Sequence, residues 1–94
     1  MNDPLFEWDE EKAASNFKKH KISFREGATV FNDEFIATMP DPSQSEMEER
    51  FVAIGLSVTG RILVVIYTER GEKTRLISCR RATSAERKWY EEEK

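Results

Sequence analysis

The chain is poor in the residues that staple, ligate or span. It has one cysteine and one histidine in 94 residues. One thiol excludes an intramolecular disulfide, and one cysteine with one histidine cannot supply the ligand spacings of a zinc site. Glycines number 4 and prolines 3, and none of the glycines falls in a phosphate-cradling loop motif. No apolar run approaches the roughly 20 residues that cross a bilayer. Met1 to Trp8 also lacks the basic and apolar regions of a secretion signal. These absences lead us to expect a single cytoplasmic domain over residues 1–94, with no membrane partner and no cofactor. Cys79, inside a strand-like run, reads as a small buried hydrophobe.

Charge is abundant but unevenly placed. Between Arg50 and Tyr90 there are 9 lysines and arginines against 3 carboxylates, a net of +6, whereas residues 1–49 hold 5 against 12, a net of -7. The overall charge of -3 therefore hides a basic second half. Attraction for phosphate is local, because screening limits its reach to about 10 Å at ordinary salt, so the basic half bears on function.

Local signals predict the order helix, helix, four strands, helix. Asp9 caps a first helix with Glu10 and Glu11 in its first turn and Lys18, Lys19, His20 and Lys21 at its end. Ala13, Ala14 and Phe17 form a narrow apolar stripe. Ser23 and Glu26 have capping-box spacing ahead of Ala28, Val30 and Phe31, which predicts a short second helix ending at Asn32 and Asp33. Glu34 to Met39 reads as a short strand, and Pro40 to Glu49 as an exposed loop. Arg50 to Val58, Arg61 to Glu69 and Lys73 to Arg81 then read as an antiparallel meander with turns at Thr59-Gly60 and Arg70-Gly71. The middle run, apolar on both faces, belongs at its centre. Thr83 to Glu86 repeats the capping-box spacing and starts a last helix carrying Trp89 and Tyr90.

Turn length sets the faces. A two-residue turn at Thr59-Gly60 puts Phe51 opposite Thr68, Val52 opposite Tyr67 and Arg50 opposite Glu69, the last as a cross-strand ion pair. One face then collects Val52, Ile54, Leu56, Val58, Leu63, Val65, Tyr67 and Leu76 and receives the first two helices. The other collects Phe51, Ala53, Gly55, Val64, Ile66, Thr68, Arg75, Ile77, Cys79 and Arg81, and is the one expected to hold a polyanion. An odd-length turn with a bulge would instead put Arg80 on the open face.

Several runs resemble the BrnT toxins of bacterial type II toxin-antitoxin systems. They are Phe6 to Ala13, Lys18-Lys19-His20, Ile22-Ser23-Phe24, Glu48 to Phe51, Ile54-Gly55-Leu56, Gly60 to Gly71, and Arg75 to Thr83 followed by Glu86-Arg87. The resemblance implies an α+β fold like that of the RelE/ParE toxins, here two N-terminal helices, a four-stranded mainly antiparallel sheet and a C-terminal helix. It also implies a ribonuclease that arrests translation, and a cognate antitoxin. That antitoxin would carry a ribbon-helix-helix DNA-binding domain, so the pair would meet operator DNA only through it.

RNA can be cleaved without metal by attack of a 2'-hydroxyl on its own phosphodiester, which needs charge stabilisation at phosphate and proton transfer. Arg80 and Arg81, being adjacent, point to opposite faces, and the two-residue turn favours Arg81 for the scissile phosphate with Arg75 as second clamp. Glu69 is the candidate for proton transfer, with Arg50 as its partner. Tyr90 could stack on a base or donate a proton. Thr68 on the open face, with Arg61, Arg70 and Lys73 near the turns, completes the expected RNA-binding set. Two other readings use the same basic face: a non-catalytic nucleic-acid or protein-binding module, and a topoisomerase-inhibiting toxin of the ParE kind.

Overall fold

The computed structural model describes residues 5–42 and 49–93. Its elements in chain order are β1 (Phe6–Glu7), α1 (Glu10–His20), α2 (Phe24–Ala28), a 3-10 turn (Thr29–Asn32), β2 (Ala37–Pro40), β3 (Phe51–Leu56), β4 (Ile62–Arg70), β5 (Lys73–Arg81) and α3 (Ser84–Glu93). One mixed sheet runs β1-β5-β4-β3-β2, parallel between β1 and β5 and antiparallel elsewhere. The sheet thus has five strands where four were expected. The extra one, β1, is two residues long, too short to show an alternating pattern; it pairs Phe6 with Thr74 and Glu7 with Arg75.

The helix caps follow the local chemistry. Asp9 accepts from the Glu11 and Lys12 amides at 2.8 and 3.2 Å, and Ser23 accepts from the Glu26 amide at 3.0 Å. At the end of α1, Lys21 takes a left-handed φ of 61° and donates to the Phe17 carbonyl. At α3 the capping box closes in both directions: Thr83 Oγ1 accepts from the Glu86 amide at 3.1 Å, and Glu86 Oε1 accepts from the Thr83 amide at 2.8 Å. Strand β2 starts later than expected, because Asp33 accepts from the Phe35 amide and makes residues 33–36 a turn. The expected loop from Pro40 falls at residues 43–48 outside the described residues, and Pro40 itself pairs with Phe51.

Two local irregularities rearrange the expected faces. The β3–β4 connection has three residues, Val58-Thr59-Gly60, closed by the Ser57 amide on the Arg61 carbonyl at 2.8 Å, with Gly60 at a φ of 90° that favours glycine. Phe51 therefore pairs with Tyr67 and Ala53 with Val65, so β3 is inverted relative to expectation. A register shift between Ile66 and Tyr67 then changes β5: Tyr67 pairs with Leu76, but Val65 pairs with Cys79, Val64 with Arg80 and Leu63 with Arg81.

The core follows from this register. Ala53, Leu63, Val65, Tyr67, Leu76 and Cys79 meet Ile22, Phe24 and Val30 under α1 and α2. Each of these aliphatics contributes on the order of 2 kcal/mol by burial. Phe6, Phe31, Tyr67 and Phe51 extend the layer as an aromatic chain, with successive ring centroids 5.4, 5.1 and 5.6 Å apart. Gly27 lets α2 lie against β5, since a Cβ there would come within 2.7 Å of the Cys79 sulfur. The opposite face carries a smaller cluster of Ile54, Val64 and Tyr90, flanked by Met39, Val52, Ile62 and Ala82.

Asn16 has a structural role that the helix pattern did not announce. It is buried on α1, where its amide nitrogen donates to the Ile22 and Cys79 carbonyls at 3.1 and 2.8 Å and its oxygen accepts from the Cys79 amide at 3.1 Å. A side-chain amide thereby pairs with β5 beyond the point where β1 ends. Its only sequence signal is a polar residue on the apolar side of the helix, three positions after Ala13.

Candidate nucleic-acid interface

Strands β4 and β5 carry their cations to opposite ends. Arg70, Lys73 and Arg75 surround the β4–β5 turn, whereas Arg61, Arg80 and Arg81 stand at the far end with Arg87 of α3. Six residues separate Arg75 from Arg81 along β5, or about 20 Å at strand rise. One phosphate cannot meet both. The expected pairing of Arg81 with Arg75 as a single clamp is therefore not formed.

At the turn end the expected catalytic pair is also undone. The register ending at Phe51 and Tyr67 leaves Arg50 out of step with Glu69, and the Glu69 carboxylate accepts from Thr74 Oγ1 at 2.9 Å. Thr68 is buried and donates to the Glu49 carbonyl at 2.6 Å, so its hydroxyl is not offered to a ligand. Arg75 forms a 3.4 Å ion pair with Glu7 of β1. Arg70, Gly71, Arg75 and Glu7 line an open depression of about 570 Å³.

At the far end the arginines have different fates. Arg61 is committed to Glu26: its Nε donates at 3.0 Å and its Nη2 makes a shorter contact. Glu26 also accepts from Ser57 Oγ at 2.8 Å and from Thr59 Oγ1. The Arg61 hydrogen bond, with smaller help from both hydroxyls, holds the Glu26 carboxyl at about 2 against the opposing effect of burial. Arg61 thus anchors the β3–β4 loop to α2 while its side chain stays partly exposed. Arg80, paired with Val64, lies on the α3 side of the sheet, the face expected for Arg81. Its guanidinium grips both Glu86 oxygens at 2.8 and 2.9 Å, and that hydrogen bonding holds the Glu86 carboxyl at about 2. Arg81 and Arg87 make no ion pair among the described residues. With Arg61, Gly60, Ile62, Ala82 and Glu91 they line a pocket of about 230 Å³.

Tyr90 and the Cys79 thiol are both enclosed. Tyr90 is 3 % exposed and its hydroxyl donates to Asp33 Oδ2. Burial first, and the Asp33 contact second, push it up to about 12, which makes it a core anchor rather than a proton donor to substrate. Trp89, its neighbour on α3, is 40 % exposed. Burial pushes the Cys79 thiol up to about 12 as well, leaving no nucleophile there. No group of three or more His, Cys, Asp and Glu residues suited to a metal occurs among the described residues.

Sequence reasoning assigned Glu26 and Glu86 only to helix caps and gave Asp33 and Arg87 no role at the site. Arg87 and Glu86 were already within the charge count from Arg50 to Tyr90, and their place in the first turn of α3, just after Arg80 and Arg81, was the signal that could have found them. Asp33, which accepts from the Leu56 amide at 2.8 Å as well as from Tyr90, could not, because its partners are 23 and 57 residues away.

The fold and its arginine-lined end define a small α+β protein with a cationic pocket at one end of its sheet. The structure is similar to the crystal structure of the Brucella abortus ribonuclease toxin, BrnT, with a TM-score of 0.62 and 25% identity over 85% of this chain and 99% of that one. Residues 8–86 match the family of the ribonuclease toxin, BrnT, of type II toxin-antitoxin systems, and the chain belongs to that family. It is accordingly a ribonuclease toxin with an antitoxin partner. No curated protein sequence matches the chain. No helix among the described residues is long and apolar enough to cross a membrane.

Proposed function

We propose that this chain is a metal-independent endoribonuclease whose substrate phosphodiester binds at the far end of the β4–β5 pair, against Arg81, Arg80 and Arg87. The observation that supports this reading is the pocket of about 230 Å³ where Arg81 and Arg87, neither held by a carboxylate, converge. The 2'-oxygen attacks phosphorus, the bond to the 5'-oxygen breaks, and that oxygen takes a proton from water, so that a 2',3'-cyclic phosphate and a 5'-hydroxyl result. Arginines stabilise the charge that builds on the phosphoryl oxygens. Glu91 is the carboxylate lining the same pocket, and it is better placed than Glu69 to accept the 2'-hydroxyl proton. Glu69 belongs to the other end of the strand. Cleavage of cellular RNA then arrests translation. The antitoxin, through a ribbon-helix-helix domain, covers the toxin and carries the pair to operator DNA.

The test is expression of the chain with and without Arg80→Ala and Arg81→Ala together. The parent should stop growth and fragment RNA, and the double variant should do neither while keeping its circular dichroism and melting temperature. A folded double variant that still fragments RNA rules out this site. Growth arrest by the parent with intact RNA and blocked replication would point instead to a topoisomerase target. Tight RNA binding with neither effect would point to a binding module.

A further inference from the structure

We propose that Glu86 is a positioning residue that holds one edge of the Arg80 guanidinium so that its other edge is presented to the RNA phosphate. This rests on the phosphate site proposed above. Arg80 Nη1 and Nη2 donate to the two Glu86 oxygens at 2.8 and 2.9 Å, and Nη1 also donates to the Arg81 carbonyl at 3.2 Å. Glu86 is itself fixed, because its Oε1 accepts from the Thr83 amide at 2.8 Å while its own amide donates to Thr83 Oγ1. The plane of the guanidinium is therefore set from both sides. What remains is the edge formed by Nε–H and the outer hydrogen of Nη2, which has no partner among the described residues. That edge is a two-donor fork with the geometry of phosphate recognition. The Arg80 side chain is 40% exposed, so the fork can meet solvent and ligand.

The alternative is that Glu86 competes with phosphate for Arg80. Against this, releasing Glu86 would also open the capping box of α3, whereas the free fork takes a phosphate without disturbing it. Positioning converts a mobile side chain into a preorganised one, and a misplacement of about 1 Å can cost on the order of a hundredfold in rate.

Glu86→Gln is the discriminating variant, because glutamine still closes a capping box and keeps one acceptor. Single-turnover cleavage of RNA by purified full-length toxin should slow about tenfold, a partial misplacement. Affinity for a non-cleavable 2'-deoxy oligonucleotide of the same sequence should stay within about twofold, since phosphate contacts other than Arg80 persist. In an Arg80→Lys background, which lacks the fork, Glu86→Gln should slow cleavage no further. Equal slowing in both backgrounds assigns Glu86 a merely structural role and overturns this inference alone, as does unchanged or faster cleavage by Glu86→Gln. Full activity of Arg80→Lys overturns the inference and the assignment of Arg80 to the phosphate site together. Should the glutamine variant fail to fold, the Arg80 Nε–H proton signal of the unaltered protein decides. It should shift when the 2'-deoxy oligonucleotide is added, and a signal that stays in place overturns the inference.

Discussion

The two ends of the β4–β5 pair have similar composition and different surroundings for the cations that make no ion pair among the described residues, Arg70 and Lys73 at the turn and Arg81 and Arg87 at the far end. Around the turn, Arg75 is drawn to Glu7 and Glu69 is occupied by Thr74. At the far end Arg61 and Arg80 each give one edge of the guanidinium to a carboxylate, while Arg81 and Arg87 make no ion pair among the described residues. Net charge does not separate these ends. What separates them is enclosure: Arg81 and Arg87 converge on a pocket of about 230 Å³, whereas Arg70 lines an open depression beside the Arg75–Glu7 pair.

The comparison breaks most visibly in cleavage rate. Removing Arg80 and Arg81 together should lower cleavage by on the order of a thousandfold, given that one transition-state donor accounts for a hundredfold or more. Removing Arg70 and Lys73 together should leave it within about threefold, as screened phosphate contacts do. Equal losses at the two ends, in single-turnover assays on the same RNA, would erase the distinction. A smaller effect is expected from Glu26→Ala, which unpairs Arg61 and frees the β3–β4 loop. Loss of stability of about 3 kcal/mol in urea titration would fit a largely buried partner, with cleavage reduced mainly through altered placement of the pocket.

Acid provides a third test. Glu26 and Glu86 are held at about 2 in the folded chain against an ordinary 4.5. Their folded values are depressed, so their contribution is present above about 4.5 and is lost as pH falls towards 2. Melting temperature should therefore decline over that window in the parent, and less steeply in Glu26→Gln; parallel curves would deny the linkage. Smallest is Tyr90→Phe, expected to cost about 1 kcal/mol by removing the hydrogen bond to Asp33 while changing cleavage by the folded protein less than twofold. A larger catalytic loss would return Tyr90 to the site. In salt titrations, Arg81→Ala should reduce the slope of log affinity by about 0.7, one phosphate contact with a single strand.

Much of the fold was legible. Asp9, Ser23 and Thr83 marked three helix starts through caps that the structure reproduces, and the three long strands stood out by composition. The facing of side chains was not legible, because it turns on one extra residue in the loop ending at Gly60 and one irregularity beside Ile66. A single step of register exchanges the two sides of a strand. The expected site therefore kept its arginines and lost their arrangement: Arg80 exchanged faces with Arg81, and Glu69 and Arg75 were left about 20 Å away. Thr68 and Tyr90 failed for another reason, since nothing local distinguishes a hydroxyl that serves a substrate from one that satisfies a buried carbonyl or carboxylate.

The amide of Asn16 has a bearing beyond the stability of α1. Sheet borders with idle backbone groups invite a strand from another molecule. Along β5 that invitation is withdrawn, first by β1 opposite Thr74 and Arg75 and then by the Asn16 side chain at Cys79. A toxin with an antitoxin partner thereby avoids pairing with its own copies along this border. Strand exchange, where it occurs, is left to the opposite margin at Ala37–Pro40, whose last residue lacks an amide hydrogen.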